Sequence, residues 1–304
     1  MLWIPVTVAA AAFQIARNAA QRGLMGDAGP WGATLVRFLF GLPFAVLFVA
    51  IAWAGAGGDV RPNPTPAFWL HAVSGSISQV VATAALLVSM RRAGFAVGTA
   101  VQQSTLPLSG ILGWVVFGDA LSREAILGVV IATLGLAILT WPRRAPDPQI
   151  EAADKPVSGA LFGLLSGLLF GFSFNGYRHA AVTLEPLHPL FSSTATVLTT
   201  QFMQSVVLTA ILAWRKPAAL EAVIRGWRGS LFAGFCGASA SACWLFALAM
   251  APAAPVRAVG VVEAPMAAAA SRRLFKEKLS LLKWFAIAVV AVGVVLTALG
   301  GTVG

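Results

Sequence analysis

Charge is most informative where a bilayer makes it expensive. Glu263 lies near the middle of an apolar segment running from Ala253 to Arg273. An intramembrane carboxylate is costly to retain, and its natural chemistry is the capture of a proton or of a substrate's ammonium group. Arg257 stands six positions earlier, about 240° around a helix, so the two charges flank one broad face with Gly260 between them. Gln14, Arg17, Asn18 and Gln21 recur at i, i+3, i+4 and i+7, which gathers them on one face of another helix. Such a stripe cannot face lipid. Arg17 can bind an anion, glue helices together or snorkel to the headgroups, whereas Asn18 is too short to snorkel.

These residues must be held by membrane helices. The 304 residues are 58% hydrophobic and 11% charged, with mean hydropathy +0.83, too apolar to cover a soluble globule. Apolar runs of about 20 residues bounded by charge, Pro or Gly predict ten spans. Their limits are 2–22, 31–54, 67–90, 94–117, 122–141, 157–178, 188–214, 229–250, 253–273 and 280–300. Of the 21 Lys and Arg, 15 fall in loops after odd-numbered spans, Arg91, Arg92, Arg215 and Lys216 among them. Basic loops stay cytoplasmic, so both termini are expected to face away from the cytoplasm. The net charge of +10 therefore reads as topology, with no nucleic-acid partner. The two cysteines, Cys236 and Cys243, sit seven residues apart in one predicted helix, about 10 Å along its axis and too far for a disulfide.

The chain repeats across a polar linker. The stretch from Pro142 to Pro156 carries Pro and both signs of charge without apolar periodicity, and divides a first repeat, 1–141, from a second, 157–304. An offset of 158 superposes Pro107 on Pro265, Phe117 on Phe275, Leu121 on Leu279, Ser122 on Ser280 and Gly135 on Gly293; an offset of 157 places Asn18 on Asn175. Five spans per half is an odd number, so the second half must enter the membrane in the opposite sense. The predicted fold is an all-α integral membrane protein of ten helices, arranged as two five-helix inverted-topology repeats.

An acidic residue followed by Leu-Ser closes the fourth span of each half, as Phe117-Gly118-Asp119-Ala120-Leu121-Ser122 and as Phe275-Lys276-Glu277-Lys278-Leu279-Ser280. With ten spans as five plus five, the chain resembles the EamA family of the drug/metabolite transporter superfamily. The usual pattern there is Gly-Glu-Arg-Leu-Ser/Thr. The first copy departs from it with Asp and Ala, and the second flanks its Glu with lysines. The resemblance covers nearly the whole chain and implies a transporter of small metabolites or drugs, many members being exporters, with a central cavity between the repeats. The motif is structural and says little about substrate. Family members are often drawn with cytoplasmic termini, the reverse of what the loop charges favour here.

Within that frame the candidate binding residues are Glu263, Arg257, Gln102, Gln103, Asn18, Arg17, Asn175 and Trp244. Gln102 is the repeat mate of Gly260 and Thr105 that of Glu263, which should bring Gln102 and Gln103 near the same cavity. Glu263 is also the candidate proton-coupling group, against the plainer reading of a buried ion pair that fixes packing. Pro107 and Pro265 are candidate hinges, each expected to kink its span. Gly159, Gly163, Gly167 and Gly171 in one span, and Ala233, Gly237 and Ser241 in another, read as close-packing ridges. Trp114, Trp244, Phe174 and Tyr177 can line a cavity, although Tyr177, near a span end, also suits the aromatic belt.

Three scattered histidines (His71, His179, His188) and the lack of a zinc-protease, nucleophile-elbow or phosphate-loop motif predict no enzyme, no cofactor and no metal. The expected activity is secondary active transport by alternating access, in the direction of export, of a small polar metabolite, best an amino acid or similar zwitterion. The alternatives are proton-coupled efflux of lipophilic cations or amines and, less favoured, a channel. The expected setting is multi-pass in the cell inner membrane, as monomer or homodimer. Its partners would be the substrate, the bilayer and protons.

Overall fold

The protein is seen as a computed structural model that describes residues 2–57, 60–105, 108, 122–140, 156–250, 256, 259, 260, 262–274 and 280–300. The described residues form twelve helices: α1 Trp3–Gly23, α2 Met25–Leu39, α3 Leu42–Gly55, α4 Pro66–Ala93, α5 Phe95–Gln102, α6 Arg123–Thr140, α7 Pro156–Leu184, α8 Pro189–Arg215, α9 Pro217–Arg225, α10 Trp227–Met250, α11 Glu263–Leu274 and α12 Leu281–Gly300. A hydrocarbon slab satisfies no backbone polar groups, so helices, which bond their own, are the expected spanning element. Among the described residues five stretches are long and apolar enough to cross a membrane: Ala28–Gly55, Pro66–Ala93, Val157–Leu184, Pro189–Arg215 and Trp227–Met250.

Several helix ends differ from the predicted spans for local reasons. Gly29 adopts φ 65°, which only glycine takes cheaply, and Pro30 restarts the helix after it. The second predicted span is further divided at Phe40 and Gly41 into α2 and α3. Helix α9 was not expected. It occupies the basic stretch after Arg215 and buries Val223 on a core with Ala28, Leu35, Phe38 and Leu212. Residues 141–155, nearly all of the predicted linker, lie outside the described residues, as do Pro107, Trp114 and Arg257.

The chain packs as two compact units, each drawing on segments from either side of the linker. The first comprises Met1–Ala84 and Ser173–Pro252; the second comprises Ala85–Phe172 and Ala253–Gly304. In the first unit α1 lies along α10, and α2, α3 and α10 each pack on α8. Gly234 lets α10 approach the junction of α2 and α3, because a Cβ there would strike the backbone of Phe40 and Gly41. In the second unit α6 lies along α12 and α5 packs on α11. A Cβ at Gly135 would come within 2.8 Å of the Val290 backbone nitrogen, so α6 and α12 touch nearly backbone to backbone. The glycine ridge of α7 seats against Ala93 at Gly159, Val101 and Ser89 at Gly163, and Ser104 and Thr105 at Gly167.

Candidate functional site

In the second unit the two predicted spans that carry the repeat's prolines are broken helices. Helix α5 ends at Gln102, and its last bonds tighten to i−3, from Gln103 N–H to the Ala100 carbonyl and from Ser104 N–H to that of Val101. Residues 103 and 104 form a turn. Residues 259 and 260 are helical, Val262 is a turn that bonds back to the Val259 carbonyl, and α11 begins at Glu263. The repeat offset of 158 carries Ser104 onto Val262, so a turn residue of one span falls on the turn residue of the other. Glu263 therefore opens a helix and does not lie within a continuous one. Pro265 sits in the first turn of α11, where N–H groups have no intrahelical acceptor, so it removes no bond from within that helix as a mid-span kink would.

Across these breaks Gln103 donates from Nε2 to the Glu263 carboxylate. Glu263 is 3% exposed. An acidic side chain in the first turn also faces the positive end of the α11 dipole. Beside the pair, Gln102 is buried with its carbonyl accepting from the Thr105 hydroxyl at 2.7 Å, and the Gln102 Oε1 and the Ser104 hydroxyl are buried without hydrogen-bond partners. The structure thus joins Gln103 to Glu263, with Gln102 at the same break.

The polar stripe of α1 turns inward in the first unit. Gln14, Arg17, Asn18 and Gln21 are all buried, which excludes a snorkelling Arg17. The Arg17 guanidinium donates to Asn18 Oδ1 at 2.6 and 3.1 Å, Gln21 donates to the Ala33 carbonyl at 2.7 Å, and Trp244 Nε1 donates to Gln14 Oε1 at 3.1 Å. Trp244 meets Phe174 edge to face at 6.3 Å between ring centroids. Asn175, two residues beyond Ser173, lies on α7 and is partly buried.

Sequence reasoning missed how far this network extends. Arg37, on α2, is buried and donates to the Thr83 hydroxyl at 3.1 Å and the Ser241 hydroxyl at 3.2 Å. Thr83 in turn donates to the Gln79 carbonyl at 2.8 Å. Gln204 donates to the Ser76 carbonyl, Gln79 Oε1 and the Tyr177 hydroxyl at 3.0–3.1 Å. Tyr177 is 3% exposed and belongs to this core, not to an aromatic belt. Ser241, read as part of a packing ridge, binds a guanidinium. His71 and His179, far apart in sequence, stack at 5.2 Å. No group of three or more His, Cys, Asp or Glu able to hold a metal occurs among the described residues.

A cavity of about 850 Å³ lies among α2, α4 and α8, walled by Trp31, Val73, Ile77, Phe202 and Ile211. Its walls are apolar and neither Glu263 nor Arg37 lines it, so it does not suit a small polar substrate.

Long apolar helices around buried charge define a multi-pass helical membrane protein. Residues 157–299, the second half of the chain, match the EamA-like transporter family, and that half is similar to those membrane transporters. No curated protein matches the chain. It is similar to a solved crystal structure of a protein at 15% identity, with a TM-score of 0.52, over 97% of this chain and 96% of the other; at that identity the likeness concerns the fold alone.

The Leu-Ser motif gains a physical account here. Ser280 immediately precedes α12 and its hydroxyl accepts from the Lys283 N–H at 3.4 Å, an N-cap contact. Its mate Ser122 immediately precedes α6, where its carbonyl accepts from the Ile126 N–H at 3.1 Å.

Proposed function

We propose that the protein is a secondary active carrier of a small polar metabolite, best an amino acid or similar zwitterion, with Glu263 as its proton-coupling group. The observation that carries this reading is a buried carboxylate at the start of a helix, hydrogen-bonded across two breaks whose turn residues overlap under the repeat offset. Discontinuous helices are where secondary transporters expose backbone dipoles and place ion or substrate sites. A neutral carboxyl and a carboxylate make different hydrogen bonds with Gln103. Protonation can therefore alter the α5–α11 contact, which is the property a coupling site requires. The ten-span inverted repeat is supported by the matched breaks and by the two serines before α6 and α12. Arg17 and Asn18 on α1 and Trp244 on α10 supply polar and aromatic contacts suited to a zwitterion, and export is the direction that the family resemblance favours. The setting we propose is the inner membrane with both termini away from the cytoplasm.

Efflux of lipophilic amines stays second, since buried arginines repel cations; the aromatic pair Phe174 and Trp244 is the observation in its favour. Reconstituted protein offered amino acids, organic anions and quaternary amines, with and without a pH gradient, decides between them. Saturable, gradient-accelerated counterflow of an amino acid is expected. Transport restricted to quaternary amines, or conductance at channel rates, would contradict the proposal.

A further inference from the structure

We infer that Arg37, with Arg17 beside it, forms a buried anion subsite that takes the carboxylate of the transported molecule. Arg37 is 3% exposed, and its hydrogen-bond partners are the hydroxyls of Thr83 and Ser241, both neutral. Its Nε is buried without a partner. Neutral hydroxyls hold a guanidinium in place but do not offset its charge, whereas a carboxylate accepts two parallel N–H bonds and does both. A second cation lies close. The stems of both arginines pass over Gly237, where a Cβ would fall 2.9 Å from Arg37 Cγ and 3.4 Å from Arg17 Cδ.

Two guanidiniums brought together in a low-dielectric interior repel each other, and an anion between them removes that repulsion. The Asn18 amide is oriented by Arg17: its Oδ1 accepts from the guanidinium, which leaves the buried Nδ2 without a partner and available as a donor. Arginine side chains from α1 and α2 therefore meet where α10 carries a glycine. A buried arginine that only stapled helices together would have its charge met by a carboxylate and no donor left over; among the described residues Arg37 has neither.

The inference rests on the carrier reading for what the anion is, and its test separates the two. Competition is measured on purified protein with the amino acids of the transport panel and with their methyl esters, which keep the side chain and ammonium but lack the anion. Wild type should bind the acids well above the esters. Arg37→Gln should lose about tenfold or more for the acids while the esters change little, and Arg37→Lys should recover part of the loss because it keeps the charge without the fork.

Should Arg37→Gln fail to fold, reagent charge supplies a second readout. With Cys236 and Cys243 replaced by alanine, Ser241→Cys should react faster with a sulfonate-bearing methanethiosulfonate than with its trimethylammonium counterpart. Equal binding of acids and esters by wild type, acid affinity unchanged in Arg37→Gln, or a preference for the cationic reagent would overturn the subsite. Loss of gradient coupling with acid binding intact would instead count against the carrier reading alone.

Discussion

At the scale of residues, the molecule concentrates its buried polarity into networks with different partners. Tyr177, Gln79, Gln204 and Ser76 bond to one another across three helices, which is the arrangement of a structural core. Tyr177→Phe should lower thermal stability in detergent by about 1–2 kcal/mol, because it leaves Gln79 and Gln204 short of a partner. An unchanged melting temperature would return Tyr177 to a peripheral role. The α1 stripe was legible in sequence because helical periodicity alone turns four polar residues to one face. The repeat offset pointed to Gln102 and Gln103 as neighbours of one cavity with Glu263, but not to the bond from Gln103 to its carboxylate. Arg37, Thr83 and Ser241 come from three helices without common spacing, and only packing brings them together. Glu263 was legible as a charge in an apolar segment but not as a helix start, since a one-residue turn leaves no mark in an apolar sequence.

At the scale of elements, the two breaks and the α6–α12 contact carry the account. Pro265 has no N–H with which to bond back across the turn before α11, so Pro265→Ala permits the helix to close over the break. We expect slower turnover with substrate affinity within a few-fold, measured as counterflow rate against competition binding. Equal rates would mean that the break does not serve movement. Gly135 allows α6 to approach the α12 backbone. Gly135→Val should destabilise the protein by roughly 1–3 kcal/mol, whereas Gly55→Ala, at a site with open space, should be tolerated. Indifference to Gly135→Val would contradict the backbone-to-backbone packing. Spans were easier to find than their interruptions, because hydropathy averages over a window and a glycine at φ 65° or a two-residue turn does not. Helix α9 escaped for a related reason: nine amphipathic residues among basic ones resemble a loop until Val223 finds its core.

At the scale of the whole molecule, the account makes one statement about orientation and one about work. Loop charge predicts that cysteine at Ala218 reacts with an impermeant thiol reagent only from the cytoplasmic side, and cysteine at the exposed Asn63 only from outside. The opposite pattern would reverse the orientation and leave the fold untouched. The work we propose is proton coupling, assigned to a single carboxylate. Glu263→Gln keeps the shape of the side chain but cannot exchange a proton. In proteoliposomes carrying an imposed pH gradient, wild type should accumulate the amino acid above its equilibrium level. The Gln variant, shown to be folded, should fail to accumulate it, and should still exchange it if Glu263 binds only the proton. Accumulation by Glu263→Gln equal to that of wild type would contradict the central claim.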